Sequence, residues 1–276
     1  MNEESDLISV VIPCYNSGET LAKAVNSVKN QTWKKFEIIL VDDGSTDAYT
    51  LDVIKSVSND VKLISQANLG LPAARNSGFK AASGKLVLPL DADDWLEARA
   101  IEEMVILLRS RKDLGFVFCN IQLENEASGI LERNYNLFEQ LSFNQLPYCI
   151  LIRKSIWEDL KGYDETMKSG YEDWEFNIRI GASGYKGAKI SKPLLHYSVS
   201  AGGMLKSKSL KLHGNLWRNI QERNSQLYNW LNLIKLFSQW SKYPSRYPLA
   251  LSFLWIIIHR LMPKFMFAYL FRRLRS

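Results

Sequence analysis

A run of acidic residues follows an apolar segment near position 90. Residues 86–90 are apolar, and Asp91, Asp93 and Asp94 come directly after them. Carboxylates this close together repel one another unless a cation, hydrogen-bond donors or a helix N-terminus offsets their charge. The spacing of Asp91 and Asp93 therefore indicates a divalent metal that holds a phosphate-bearing ligand.

The same run has a second interpretation, in which its last member begins a helix. Asp94 would cap a helix that starts near Trp95, and Glu97 would complete a capping box. The two interpretations are compatible. Because capping needs neither Asp91 nor Asp93, that pair still favours the metal.

Two more acidic residues and an arginine belong to the same half of the chain. Asp42 and Asp43 follow the mostly apolar segment 36–41, where an acid can accept hydrogen bonds from a ribose or a base. Arg75 lies in a helical pattern at 71–82, and its rigid donor fork suits a phosphate or a planar base. The alternatives are a solvated turn or helix cap for the two acids and a surface salt bridge for Arg75.

The second half of the chain contains a further acidic pair and a histidine. Glu172 and Asp173 lie at the start of a helical pattern, where acids favour the helix dipole and where one could also act as a general base. The residue types do not decide between these roles. His196 lies in an apolar segment, and a histidine in that setting is more often packed than a ligand.

The elements that must position these residues alternate between strand and helix in the first half. Apolar segments separated by helices predict right-handed βαβ units and a parallel sheet. Ligands of such sheets bind beyond the carboxyl ends of the strands, where the polar motifs lie. The predicted strands are 8–13, 36–41, 62–65 and 86–90, and the predicted helices are 19–30, 46–57, 71–82 and 95–111.

The second half is a mixture of short elements. The chain has 276 residues, enough for one large domain or one domain with an appendage. Its three cysteines lie far apart, which indicates buried thiols in a reducing compartment. An acidic N-terminal segment lacks the regions of a secretory signal. The predicted strands are 116–123, 149–152 and 193–199, and the predicted helices are 154–160, 171–181 and 207–240.

The net charge of +6 comes from the end of the chain. Glu222 is the last acidic residue, and nine of the 35 basic residues follow it, leaving 26 basic against 29 acidic residues before that point. A basic patch confined to one end does not indicate a nucleic-acid-binding protein as a whole. We therefore expect no nucleic-acid partner.

The apolar segment 247–271 resembles a membrane span but is interrupted. Its apolar core, 249–258, is shorter than the roughly 20 residues that cross a bilayer. Arg260 and Lys264 would each cost about 2.5–3.5 kcal/mol at mid-membrane. Two short helices at the membrane interface fit better, with basic residues facing anionic lipid. The alternative is a helix pair packed on the catalytic domain, or a dimer contact.

Taken in order, these motifs resemble those of the family 2 glycosyltransferases. The resemblance covers about residues 8–200 and implies the GT-A fold: an α/β, Rossmann-like mixed sheet flanked by helices. The apolar and basic composition of the tail adds a C-terminal helical extension that associates with membrane. We therefore expect a catalytic domain at 1–205 and an extension at 206–276. The matching segments are 8–16, 37–47, 68–70, 74–76, 91–94, 162–165 and 172–175.

The resemblance assigns expected roles to individual residues. Asp173 would be the catalytic base, with Glu172 beside it. His196 matches a metal-binding histidine of relatives, in a loose form of that motif. The expected metal ligands of Mn²⁺ or Mg²⁺ are Asp91, Asp93 and His196, and the expected nucleotide-sugar contacts are Pro13, Tyr15, Asn16, Asp42, Asp43, Arg75, Asp91 and Ala92.

The activity that the resemblance implies is inverting transfer of a sugar from a nucleotide-diphosphate sugar, with UDP favoured. The acceptor would be a hydroxyl of a glycan or lipid-linked glycan in bacterial surface polysaccharide synthesis. The protein would lie on the cytoplasmic, inner face of the cell membrane, and a homodimer is left open. Three alternatives remain: a sugar-nucleotide pyrophosphorylase, a non-catalytic nucleotide-sugar-binding module and a membrane scaffold. The pyrophosphorylase is disfavoured because residues 12–18 lack its glycine-rich loop.

Overall fold

The computed structural model describes residues 7–200, 209–262 and 266. Contacts between residues divide the chain into two compact units that interleave along the sequence. The first unit comprises Met1–Arg133, Pro147–Lys168 and Tyr185–Ser200, and the second comprises Asn134–Leu146, Ser169–Gly184 and Ala201–Ser276. The predicted domain boundary between residues 205 and 206 lies outside the described residues and stays a prediction.

The first unit is built on a nine-stranded sheet. The strand order is β3-β2-β1-β4-β8-β6-β9-β5, with β7 paired to β6. The strands are β1 (Ile8–Cys14), β2 (Phe36–Asp42), β3 (Lys62–Ser65), β4 (Leu86–Pro89), β5 (Trp95–Leu96), β6 (Leu114–Asn125), β7 (Gly129–Leu131), β8 (Leu151–Arg153) and β9 (Lys186–Val199).

The half of the sheet formed by β1 to β4 is parallel, as the sequence predicts. Strand β1 lies between β2 and β4, and all of its residues are buried. A strand covered on both faces favours apolar side chains, which accounts for a sequence that is apolar except for Ser9. The helices of this unit are α1 (Gly18–Lys29), α2 (Ala48–Val57), α3 (Leu71–Ala81), α4 (Ala100–Ser110) and α6 (Lys154–Asp159).

The other half of the sheet is mixed. Strand β6 pairs parallel with the long strand β9 and antiparallel with β7 and β8. The short strand β5 pairs antiparallel with the end of β9. A parallel half joined to a mixed half gives the curled α/β sheet expected of the GT-A fold.

The structure corrects the prediction of a helix starting near Trp95. Trp95 and Leu96 form β5, because Trp95 pairs with His196 on β9, and α4 begins only at Ala100. The residue before α4 is Arg99, whose side chain makes no capping hydrogen bond. Asp94 is therefore not a helix cap, and its carboxylate has other partners.

The helix that carries Arg75 lies close to the central strand. Gly78 on α3 touches Val11 on β1, and a Cβ atom at Gly78 would collide with the Val11 side chain. The small residues of α3 let the helix approach the sheet closely. Arg75, one turn earlier, is held at a fixed depth beside the strand.

The described part of the second unit is helical. Its helices are α5 (Leu137–Gln140), α7 (Glu172–Ala182), α8 (His213–Arg223), α9 (Trp230–Trp240) and α10 (Leu249–Leu261). The predicted single helix 207–240 is wrong, since α8 and α9 are separate; its residues 207 and 208 lie outside the described residues. The Asn224 side chain donates to the Ile220 carbonyl where α8 ends, and Asn229 caps α9.

The short helix α5 organises this unit. Asn136 caps α5 and donates to the Trp240 carbonyl at 3.0 Å, while Glu139 accepts from the backbone N–H of Arg246 and Tyr247. Phe138 packs on aromatic rings of α9 and α10. One face of the C-terminal helices is therefore packed within the unit. Among the described residues, no helix is both long and apolar enough to cross a membrane.

Candidate active site

Asn16 joins the loops that follow β1 and β2. Its φ of 50° lies in the left-handed region, which Asn tolerates better than most residues. Its Oδ1 accepts from the backbone N–H of Thr46 at 2.8 Å, and its own N–H donates to Ser45 Oγ at 3.1 Å. Asn16 thus holds two predicted donor-binding segments together.

Asp42 and Asp43 are both buried and accept hydrogen bonds from nearby loops. Asp42 Oδ1 accepts from the Ser45 N–H at 2.9 Å. Asp43 accepts from the Leu69 N–H at 2.9 Å and from the Gly70 N–H at 2.8 Å. Asp43 therefore fixes the loop that leads into α3. These bonds show what the two acids do structurally, and their contact with a nucleoside stays a prediction.

Three other predicted donor contacts differ in exposure. Pro13 is buried in β1 and pairs with Val41. Tyr15, two residues on, is 46% exposed, so its ring is available to a ligand. Ala92 is buried between the acidic residues. Their roles in donor binding stay predictions.

Arg75 is buried and paired, so the interpretation of it as a surface salt bridge is wrong. Its Nη2 lies 2.7 Å from Asp91 Oδ1, and the two side chains are 2% and 22% exposed. The guanidinium also lies over the rings of Tyr148 and Tyr163. Burying a charge is costly unless it is paired, so this contact fixes the position of Asp91.

Asp91, Asp93 and Asp94 converge. One carboxylate oxygen from each lies within 4.8 Å of the others. Although part of the Asp93 side chain is exposed, the surrounding protein raises its pKa to about 6, and the charge of Asp91 adds to the rise. Burial raises the pKa of Asp94 well above its usual range, with Asp93 and Asp91 contributing. The cluster thus carries more negative charge than Arg75 alone offsets.

These three carboxylates fit a hard divalent cation. Such ions take oxygen ligands, and a cation would relieve the mutual repulsion that, together with burial, raises the pKa values of Asp93 and Asp94. Asp91 and Asp93 are the members suited to this role, since both oxygens of Asp94 accept other hydrogen bonds. The residues present therefore match a Mn²⁺ or Mg²⁺ site.

Sequence reasoning missed the residues that hold Asp94. Tyr148 Oη donates to Asp94 Oδ2 at 2.6 Å, and the Ser198 N–H donates to Asp94 Oδ1 at 2.8 Å. These donors lie 54 and 104 residues away along the chain. Tyr148 belongs to no recognised motif. Ser198 follows His196 in the loose histidine motif, but it donates through its backbone N–H, which residue type does not reveal.

His196 does not join the carboxylate cluster found among the described residues. Its Nδ1 lies 2.7 Å from Glu124 Oε1 and its Nε2 lies 2.7 Å from Glu97 Oε1, while its ring stacks on Trp95. Binding a metal would require the ring to give up one of these contacts. Its expected role as a ligand stays a prediction.

Glu172 and Asp173 belong to the second unit and open α7. Glu172 is buried, whereas Asp173 is half-buried and accepts from Asn144 Nδ2 at 3.0 Å. Their position in the first turn favours the helix dipole, as the structural alternative proposes. No motif in the sequence includes Asn144, so sequence reasoning missed it. The role of Asp173 as a base stays a prediction.

Comparison with known protein families shows which family the chain belongs to. The profile described as "Glycosyl transferase family 2" matches residues 9–173, more than half of the chain. The chain belongs to glycosyltransferase family 2. This family membership confirms the resemblance carried by the acidic motifs.

Relatives and solved structures agree with the assignment. "Putative glycosyltransferase EpsH" of Bacillus subtilis is 36% identical over 230 residues, 76% of this chain and 65% of that protein. The chain thus spans less than two thirds of that relative, and it spans still less of two glycosyltransferases of Streptococcus pneumoniae, 35% and 53%.

Two solved structures share the fold. S. aureus TarS (residues 1–349) in complex with UDP-GlcNAc has a TM-score of 0.65 at 21% identity, covering 77% of this chain and 65% of that one. Mannosyltransferase PcManGT from Pyrobaculum calidifontis, in complex with GDP-Man and Mn²⁺, has a TM-score of 0.59 at 16% identity, covering 96% and 84%. The predicted GT-A fold is confirmed.

Proposed function

We propose that this protein transfers a sugar from a nucleotide-diphosphate sugar to a hydroxyl group of an acceptor, with inversion at the anomeric carbon. The observation that carries the proposal is the cluster of Asp91, Asp93 and Asp94, with Arg75 beside it, in a chain of this family. The named complexes of TarS and PcManGT support a nucleotide sugar as donor. UDP is the favoured nucleotide, as the resemblance to the family implies.

Asp91 and Asp93 would hold Mn²⁺ or Mg²⁺, and Arg75 would keep Asp91 in place. A divalent ion at this site supplies positive charge for the diphosphate as the bond to the sugar breaks. Tyr15, Asn16, Asp42 and Asp43 would line the nucleoside. His196 could serve as a third metal ligand if its ring gave up the hydrogen bond to Glu97 or the one to Glu124.

Asp173 would act as the general base. In this step the acceptor oxygen forms a bond to the anomeric carbon, the bond from that carbon to the diphosphate oxygen breaks, and the hydroxyl proton passes to Asp173. The nucleoside diphosphate leaves with the electron pair of the broken bond. Asn144 orients the carboxylate through its 3.0 Å hydrogen bond, and the buried Glu172 supports the start of α7.

The test of the reaction is release of nucleoside diphosphate from a panel of UDP-, GDP- and dTDP-sugars, with Mn²⁺, with Mg²⁺ or with chelator. We expect release from one donor class that depends on metal. Because a donor can require its acceptor for turnover, binding of each nucleotide is measured in parallel by calorimetry. No release and no metal-dependent nucleotide binding would contradict the proposal and favour a non-catalytic role.

We also propose that the acceptor is a glycan or lipid-linked glycan, and that the second unit meets the anionic inner surface of the cell membrane. Helices α9 and α10 each expose apolar side chains, and the described part of the chain after Glu222 carries basic but no acidic residues. An apolar face flanked by basic groups suits an anionic lipid surface. The exposed large apolar residues of the two helices are Trp230, Leu231, Ile234, Leu251, Leu254 and Leu261, and the exposed basic residues include Lys235, Lys242 and Arg246.

Replacing both Leu251 and Leu254 with Ser is expected to weaken binding to phosphatidylglycerol vesicles by at least about tenfold. Inserting a leucine into an apolar phase contributes roughly 1.5–3 kcal/mol, and about 1.4 kcal/mol is a factor of ten. Co-sedimentation with vesicles measures the change. Ile106→Ser, at an exposed isoleucine of the first unit, is the matched control. Equal binding by the double variant and the control would contradict a membrane role for α10.

A further inference from the structure

The hydroxyl of Tyr148 bridges two parts of the acidic loop. It accepts from the Asp91 N–H at 3.1 Å and donates to Asp94 Oδ2 at 2.6 Å. A single side chain therefore fixes both the residue that opens the loop and the residue that closes it. Between those two points lies Asp93.

The ring of Tyr148 touches the other fixed point of the loop. The Arg75 guanidinium, which binds Asp91 Oδ1, lies 5.1 Å from the centre of the Tyr148 ring. A cation over an aromatic face is attracted to it, so the ring helps to hold the arginine. Tyr148 thus acts on Asp91 in two ways, through its backbone N–H and through its charged partner.

Asp94 ties the loop to the sheet. Its second oxygen accepts from the Ser198 N–H of β9 at 2.8 Å. Both oxygens of Asp94 therefore accept hydrogen bonds that fix the position of the loop. Asp91 and Asp93 are left as the carboxylates that a cation can use.

We propose that Tyr148 is a positioning residue for a divalent cation bound by Asp91 and Asp93: its hydroxyl sets the separation of their carboxylates by holding both ends of the loop. The inference rests on the proposed function, in which that cation meets the donor diphosphate. Groups that orient metal ligands without touching the metal typically contribute about 10–100-fold to metal affinity. Tyr148 belongs to that class.

The test is Tyr148→Phe, which removes the hydroxyl and keeps the ring beside Arg75. We expect the affinity for Mn²⁺, measured by titration in the presence of UDP and of GDP, to fall about tenfold or more. The Mn²⁺ concentration that gives half-maximal activity should rise by a similar factor. Activity at saturating Mn²⁺ should largely recover, which a general loss of structure would not produce.

Tyr185→Phe is the matched control. Tyr185 belongs to the same unit, is also partly buried, and donates to Asp159 Oδ2 at 2.8 Å, so its variant removes a similar hydrogen bond elsewhere. Wild-type Mn²⁺ affinity in Tyr148→Phe, or an activity loss that Mn²⁺ does not restore, would overturn the inference. If that variant does not fold, Asp94→Asn tests the same bridge with the same expected loss of Mn²⁺ affinity. A wild-type protein that binds no Mn²⁺ with either nucleotide would overturn the proposed function as well.

Discussion

Asp173→Asn is expected to lower sugar transfer by roughly 10²-fold or more while donor binding stays unchanged. The amide has the shape of the carboxylate and can still accept the hydrogen bond from Asn144, so the start of α7 should keep its structure. It cannot take the proton of an acceptor hydroxyl. The measurements are the turnover for nucleoside-diphosphate release with acceptor, and the Kd for the donor by calorimetry.

Two variants make this result specific. Glu222→Gln removes an exposed carboxylate from the same unit and should leave turnover unchanged. Glu172→Gln tests the neighbouring acid, which is buried where Asp173 is half-buried. If Asp173→Asn turns over normally and Glu172→Gln does not, the role of base belongs to Glu172. Normal turnover in both would remove the acidic pair from the mechanism.

The parallel half of the sheet could be predicted because its signal is local. Each of β1 and β2 is mostly apolar, and the acidic residues Asp42 and Asp43 lie where β2 ends. Burial on both faces leaves few other ways to fold such a run. The convergence of Asp91, Asp93 and Arg75 followed from that topology and from the recognised motifs.

The segment after β4 shows where local signals mislead. Asp94 and Glu97 have the spacing of a capping box, yet Asp94 bonds to Tyr148 and Ser198, and Glu97 bonds to His196. These partners come from other strands or loops, far away along the chain. An N-cap side chain stabilises a helix by only about 1 kcal/mol. Pairing of β5 with β9 and burial of Asp94 can outweigh that contribution.

The site residues that escaped prediction share one property. Tyr148 and Asn144 act through partners that are distant in sequence. Those of Tyr148 are Asp91, Asp94 and Arg75, and that of Asn144 is Asp173. Their own neighbours form no pattern that indicates chemistry. Residues that touch a ligand directly are often found from motifs, whereas residues that hold those ligands in place need the three-dimensional arrangement.

Asp93→Ala is expected to weaken metal-dependent donor binding by at least about tenfold. Groups that merely orient a metal ligand already contribute about 10–100-fold, and a direct ligand should contribute no less. Asp93 is a cleaner choice than Asp91, because removing Asp91 would also leave the buried Arg75 guanidinium without its carboxylate. The measurement is the affinity for UDP and GDP at increasing Mn²⁺, beside chelator-treated wild-type protein.

Asp60→Ala is the control for this prediction, because it removes an exposed carboxylate of the first unit. Among the ion pairs of the described residues, Asp60 takes part in one, with Lys29. The carboxylates that repel one another without a cation are the ones that should bind it, so losing Asp93 should both weaken the site and relieve part of that repulsion. Asp93→Ala should therefore bind nucleotide with little dependence on Mn²⁺. Normal sugar transfer by chelator-treated protein would refute the metal, and the acidic loop would then serve the donor through hydrogen bonds alone.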